Sequence, residues 1–450
     1  MPNTRPQNAS NHGGPVSFAQ PRDGQAPAAG EGGRDGGAVP QRSGIFAPFA
    51  SRDYRSFSLV MLVTQTGLSV TGLGRAWLVQ STTHSPFLVS AMAALTGLPM
   101  MVFGVVGGVV ADRFSRKYVA MVMDAVTAAS SVTLAVIYVA GGAQTWHVLL
   151  LASIQGVAQG VSSPAKQTLL TDLVPDRQQR GAIGLAMVVG NIGGIIGPLI
   201  AAVAFGAGDV GLALTIGAAI QVATLPLYLL IATDRPAFKT DAMYSFFSSL
   251  KEGIRHAAND RNTAWLMVAA AILLTTLSTR GVIYPTLIQD VYKRGPGSLG
   301  VLELAGGLGA VMGPFVASFL SGKLGDIRLE VWSAVVFAAS VALMAFTGDF
   351  WMFVGLSWFT SCAGQVVFAT NWYAIQLSAP HELRGRVVSL RFAVSGVQHI
   401  GMLGLGAMAV ILGPRAALIW FVAAGLGLFA FATLLMRPRT PTGRPLAQPG

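Results

Sequence analysis

Residues 104–117 read GVVGGVVADRFSRK. An apolar, glycine-rich run stops at Ala111. Asp112, Arg113, Arg116 and Lys117 follow within six residues, and a second apolar run extends from Tyr118 to Ala140. Hydrocarbon offers no water to backbone polar groups, so an apolar segment of about 18 residues or more must be helical there. The two runs form a helical pair crossing a membrane, and the charges mark the short turn between them. Positive charge in a short loop assigns that loop to the cytoplasmic side.

The rest of the chain has the same character. Its 450 residues are 52% hydrophobic and 11% charged, with a mean hydropathy of +0.58, whereas soluble domains carry about 25% charged residues. The pattern is that of an all-α polytopic membrane protein with room for about twelve helices at roughly 20 residues each. Apolar segments place them at 57–80, 87–110, 118–140, 146–172, 182–205, 211–232, 263–288, 298–321, 330–347, 350–378, 387–412 and 415–436. Residues 1–44, rich in Gly, Pro, Ala, Gln and Arg, lack an apolar block long enough for a signal peptide and read as a disordered cytoplasmic tail. The polar segment 233–262 reads as a cytoplasmic linker between two six-helix bundles, 45–232 and 263–436, and 437–450 as a second tail.

A formal charge of +11 would suit nucleic acid, but its distribution is an orientation signal instead. Of the 30 Lys and Arg, 23 fall in the tails and loops on the side of the N-terminus. Three (Lys293, Arg294, Arg415) fall on the other side, and four (Arg75, Lys166, Arg280, Arg391) within spans. The positive-inside rule then puts both termini in the cytoplasm, with the protein in the cell's inner membrane and no nucleic-acid partner. The single cysteine, Cys362, lies inside an apolar run, which offers neither a disulfide nor a thiolate metal site. No phosphate-binding Gly-x-x-x-x-Gly-Lys-Ser/Thr loop, metal-spaced His or Cys cluster or Gly-x-Ser-x-Gly elbow is found, so neither an enzyme nor a cofactor is expected.

The halves repeat weakly at a displacement of about 205 residues, which places Val174-Pro175 over Ala379-Pro380 and Arg75 over Arg280. Parallel repeats about an axis along the membrane normal suit a carrier whose halves rock about a central site.

Gly108-x-x-x-Asp112-Arg113-x-x-Arg116-Lys117 resembles the loop signature of the major facilitator superfamily between its second and third helices, with Ser115 a departure from the usual glycine nearby. Gly108 is expected to permit close helix approach. Asp112 is expected to face a helix N-terminus of the other half, and Arg113, Arg116 and Lys117 to hold anions at the rim. Gly184, Gly193, Gly197-Pro198 and Ala201-Ala202 resemble the antiporter signature of exporting members, with Ala in place of its closing glycines. Small residues and a proline kink make a smooth interface helix. Asp53-Tyr54-Arg55-Ser56-Phe57, Ser163-Pro164-Ala165, Leu173-Val174-Pro175 and Arg384-Gly385-Arg386-Val387 look like the bacterial branch of enterobactin and macrolide exporters, over about 50–436. The resemblance implies a monomeric carrier with two pseudo-symmetric bundles, exporting a small organic compound in exchange for protons.

Charges inside spans cost several kcal/mol unless paired or hydrated, so each is a functional candidate. Arg75 and Arg280 occupy matching positions, and the resemblance implies that they face each other across a cavity. They are expected to bind an anionic substrate group, or else to snorkel or pair with Glu303 and Asp290. Tyr284, Asn371 and Trp372 join them as substrate contacts, and Gln155, Gln159, Trp358, Gln365 and Tyr373 as further cavity-lining candidates. Glu303 and His399 are the titratable candidates for proton coupling. Asp124 reads as a partner of the loop charges, and Lys166 and Asp172 as anchors at the inner end of the fourth span. The alternatives are a proton-coupled uptake symporter of the same fold and a non-transporting membrane receptor.

Overall fold

The computed structural model describes residues 46–207, 209–232, 252–278, 280–378 and 384–436. The expected tails 1–44 and 437–450 and most of the linker 233–262 lie outside the described residues. The helices are α1 (Arg52–Thr83), α2 (Pro86–Arg113), α3 (Arg116–Val139), α4 (Thr145–Asp172), α5 (Gln179–Gly206) and α6 (Val210–Leu227), then α7a (Arg261–Leu277) with α7b (Arg280–Thr286), α8 (Gly297–Leu324), α9 (Asp326–Phe346), α10 (Phe350–Ser378), α11a (Arg384–Ser395) with α11b (Val397–Leu412), and α12 (Pro414–Met436). They supply twelve segments long and apolar enough to cross a membrane, and no strand occurs among the described residues. Large apolar side chains such as Phe315, Phe319, Phe431 and Leu434 stand exposed around them, as a lipid-facing surface requires.

Local chemistry sets the helix starts. Ser51 and Ser85 cap α1 and α2 by accepting from the backbone N–H of Tyr54 and Leu88. Asp260 caps α7a through Thr263, relieving N–H groups that have no partner inside the helix. Two of the expected single helices are interrupted. In the seventh, α7a ends at Leu277 and α7b begins at Arg280; further along, Pro285 removes a backbone donor inside α7b and the chain widens into a π-turn at Leu287–Val291, as proline in a helix interior forces its neighbours to adjust. The eleventh breaks at Gly396, where a Cβ would meet Met101 Sδ at 1.7 Å.

Helices α1–α6 pack on one another, as do α7–α12. The closest approach of backbone to backbone recurs in both halves. A Cβ on Gly156 of α4 would meet the Thr96 carbonyl oxygen of α2 at 2.2 Å, and one on Gly309 of α8 would meet that of Trp358 on α10 at 2.1 Å. Gly107 belongs to the first of these crossings, since its Cβ would lie 2.6 Å from Val161 Cα. Gly108 does not, because it faces open space. The expected close approach is therefore made one residue earlier, on the face of α2 that meets α4.

The turn 114–115, the start of α1 and the end of α12 lie at one end of the molecule, the basic end. There the cores of the two halves are separate. One gathers Tyr54, Phe57, Leu169 and Tyr228, the other Trp265, Leu273, Ile375 and Phe429. At the far end a single core joins both halves, with Trp77, Val79 and Leu214 in the same cluster as Ile283, Leu299 and Phe353. The halves thus adhere at the far end and part toward the basic end.

Gly107→Ala is expected to cost about 1–3 kcal/mol through overpacking of α2 on α4, whereas Gly108→Ala is expected to be neutral or slightly stabilising. Thermal unfolding of the two detergent-solubilised variants distinguishes them.

Candidate functional site

A cavity of about 230 Å³ lies against α1, α2 and α4 in the basic half of the molecule. On α1 it is lined at positions 57, 61, 64, 65 and 68, and on α4 at 159, 162, 163, 166, 167 and 170. Both sets follow the three-and-four spacing of a single helix face. The α1 face is mostly apolar, whereas α4 presents Gln159, Ser163, Lys166 and Gln167. Lys166 is the one charged residue of the lining.

Lys166 Nζ lies 2.8 Å from Asp124 Oδ1, and both side chains are largely buried. Oδ1 also accepts from the Ser162 hydroxyl at 3.1 Å, while Oδ2 accepts from Tyr228 at 2.8 Å and Thr64 at 3.4 Å. One carboxylate of α3 thereby collects donors from α1, α4 and the turn ending α6, and a buried charge needs that degree of satisfaction. The expected pairing of Asp124 with the loop charges is overturned, as is the reading of Lys166 as a snorkelling anchor. Both were visible as opposite charges inside adjacent spans, and their mutual partnership was the missed signal. A neutral chain runs beside this hub. Gln155 donates to Ser131, Ser131 to Gln221 and Gln221 to Thr71, so Gln155 is committed to packing, whereas Gln159 lines the cavity.

The signature loop is built into the first half as well. Arg116 pairs with Asp172, and Lys117 Nζ donates to the Ile231 carbonyl at 2.6 Å, close to where Asp53 accepts from the N–H of Ala232. These contacts hold the turn against the ends of α4 and α6 and leave Arg113 exposed, so one of the three expected anion-holding side chains stands free at the rim. Asp112 is half-buried at the end of α2. The helix start expected to face it follows residues 379–383, which lie outside the described residues.

Two seams join the halves. Along α5–α8, a Cβ on Gly300 would meet Ala202 Cβ at 2.5 Å, and Glu303 stands between Gly300 and Gly307 on the same stripe of α8. Gly193 and Gly197 serve a different contact, against Leu62, Gln65, Thr66 and Ser69 of α1, while Gly184 faces open space. Pro198 lies inside α5. Along α2–α11, the His399 ring lies so close to Gly97 that a Cβ there would be 1.8 Å away, and Gly406 packs on Ser90. At the far end Gln80 donates to Asp290 at 3.0 Å and accepts from Thr286 at 2.8 Å, with His84 Nδ1 at 3.5 Å from Asp290. This polar clasp engages Asp290, which makes no ion pair with Arg75 among the described side chains.

Arg75 is buried, its Nε donating to the Thr71 carbonyl at 3.3 Å. It stands seven residues beyond Leu68 on the same stripe of α1, outside the cavity lining. Arg280 opens α7b, and its side chain is not among those described. Tyr284 is buried at the far end with its ring against Phe353, and Asn371 donates to the Leu266 carbonyl and Glu330 inside the second half. Both expected substrate contacts are buried, at 2% exposure, and neither lines the cavity described above. Trp372 is half-buried and stacks on Phe368, with Arg391 over both rings.

Two pseudo-symmetric six-helix halves, seams of small residues and a cavity at one end define a multi-pass membrane protein of the major facilitator fold. Residues 43–448 match the family model described as transmembrane secretion effector, and the chain belongs to that family. It is 25% identical over 386 residues to an enterobactin exporter of Shigella boydii, covering 85% of this chain and 91% of that protein. It is 22% identical over 262 residues to macrolide efflux protein A of Streptococcus pyogenes, covering 57% of this chain and 63%, less than two thirds, of that protein. Among solved structures, the nucleoside transporter NupG superposes with a TM-score of 0.71 at 12% identity, covering 86% and 99% of the two chains. A bacterial homologue of the human lysosomal transporter Spinster gives 0.69 at 13% identity, covering 89% and 98%. At such identities the structural likeness is one of fold.

Asp124→Asn is expected to destabilise the protein by about 3–5 kcal/mol, because it strands a buried ammonium. Combining it with Lys166→Met removes both charges and is expected to restore most of the loss. Thermal unfolding in detergent measures the cycle.

Proposed function

We propose that the protein is a secondary active transporter that exports a small organic compound from the cytoplasm in exchange for protons by alternating access. The observation that carries this reading is the divided core: one apolar core joins both halves at the far end, while each apolar core toward the basic end is confined to one half, that of the first half beside the cavity. With the basic end in the cytoplasm, that arrangement is an inward-open state, ready to load cargo from inside. Both termini then lie in the cytoplasm and the protein resides in the inner membrane, acting as a monomer with one pathway per chain. Relatives named as macrolide and enterobactin exporters support the outward direction.

Proton coupling is assigned to Glu303 and His399, which belong to different seams between the halves. Packed against Gly97, a neutral imidazole fits an apolar interface, whereas an imidazolium requires hydration or a counter-charge. A proton arriving there therefore acts on the contact that opens and closes, which couples the gradient to access rather than to a distant site. Arg75 and Arg280 remain the proposed deep contacts for an acidic group of the cargo, and Trp372 a proposed aromatic contact. Asp112 and Arg113 form the switch at the rim, with Arg116 and Lys117 anchoring it. Gly193, Gly197 and Pro198 keep α5 close to α1 as the halves rock.

Inverted membrane vesicles test the direction. With an acid interior, substrate accumulation in the lumen is expected from the exporter as protons leave, whereas an uptake symporter is expected to accumulate substrate there only when the exterior is the acid side. Asp112→Asn is expected to reduce that transport at least about tenfold, a loss of roughly 1.4 kcal/mol in the rate-limiting step, at unchanged membrane abundance. A non-transporting receptor would retain its activity.

A further inference from the structure

Lys166 is placed unlike any other charge in the described first half. Arg116 is answered by Asp172 and Lys117 by a backbone carbonyl, away from the cavity, whereas Lys166 belongs to the cavity wall as its one charged lining residue. An ammonium carries three donors, and Asp124 receives one of them. Asp124 also accepts from Ser162, Tyr228 and Thr64. The ammonium therefore keeps its bond to Asp124 and has two further donors to offer a second acceptor. The same cavity is lined by Gln159, Ser163 and Gln167 from the same face of α4 and by Gln65 from α1, and Phe57, Met61 and Leu68 supply the apolar remainder. No carboxylate lines the cavity.

We infer that this cavity is the loading site for an organic acid, whose carboxylate or equivalent oxyanion is held by Lys166 while its hydrocarbon part lies along α1. The inference rests on the transport reading above and specifies its cargo. A charge-assisted hydrogen bond to the lining favours an anion, whereas a protonated amine would meet the Lys166 ammonium first, since Asp124, which pairs with it at 2.8 Å, is not among the lining residues. A volume of about 230 Å³ equals roughly eight waters, room for the acidic head and one ring system. Arg75, two turns deeper on the same stripe of α1, lies in the direction in which an acid released by Lys166 would next find a cation.

Three probes of one shape and different heads test this: 2-naphthoate, 2-naphthamide and 2-naphthylmethylamine. Their accumulation is measured in cells of an exporter-deficient host expressing the full chain. The wild-type chain is expected to lower 2-naphthoate accumulation selectively. Lys166→Gln is expected to weaken that export at least about tenfold, the loss from one charge-assisted hydrogen bond, and Lys166→Arg to retain it. The Asp124→Asn/Lys166→Gln pair, neutral throughout, guards against misfolding, since it is expected to reach the membrane at wild-type abundance and still fail with the acid. Export of the amide or amine in preference to the acid, or acid export untouched by Lys166→Gln, overturns the assignment of Lys166 while leaving the transporter reading intact. Absence of efflux for all three probes from an abundant wild-type chain also overturns the acid assignment. The transporter reading itself fails only if the vesicle assay shows no gradient-driven movement either.

Discussion

A carboxylate inside a membrane is tolerable only when its charge is answered on every side. Asp124 meets that condition by drawing Thr64, Ser162, Lys166 and Tyr228 onto its two oxygens, so its desolvation is offset only while α1, α3, α4 and the turn after α6 keep their places. An apolar contact could slide by a residue at small cost, whereas this one cannot, because displacing any of the helices strands a buried ion. The basic half of the first bundle is therefore pinned electrostatically. The chain Gln155, Ser131, Gln221 and Thr71 repeats the principle with neutral groups toward the middle of the bilayer.

Between the bundles the chemistry is different. Lipid tails are as apolar as leucine, so helices in a membrane gain little from apolar burial alone and associate by close backbone approach. Gly97, Gly300 and Gly406 provide that approach across the two seams, each in a contact with no room for a methyl group. Such seams are held by dispersion and shape, with few hydrogen bonds to break, and the polar clasp of Gln80, Thr286 and Asp290 supplies directional bonds only at the far end. A rigid, charge-pinned half meeting its partner through smooth surfaces can move as a body, and rocking carriers need that combination.

The cavity owes its character to the same hub. Lys166 is fixed by Asp124 from behind and presents its remaining donors from the face of α4 that lines the cavity, so the group that stabilises the bundle also gives the cavity its charge. On the proposed loading role, folding and loading meet at this one residue, six residues from the end of α4.

The amino-acid sequence by itself determined the twelve helices, because hydrophobicity at bilayer length leaves no other structure for the backbone. It also determined the basic end, because charge is excluded from hydrocarbon and so collects in loops. The signature loop, the smooth fifth helix and the likeness to exporters were legible for the same reason: each is a local pattern of small residues and charges. Which glycine touches which helix depended on rotation about the helix axis, and one residue of error moved the expected contact from Gly107 to Gly108. Pairing likewise required the tertiary structure. Asp124 and Lys166 lie 42 residues apart, and Tyr284 and Asn371 differ from cavity residues only in the direction their helices turn them. Periodicity places a side chain on a face, but only packing decides whether that face meets a neighbour, a seam or a hollow.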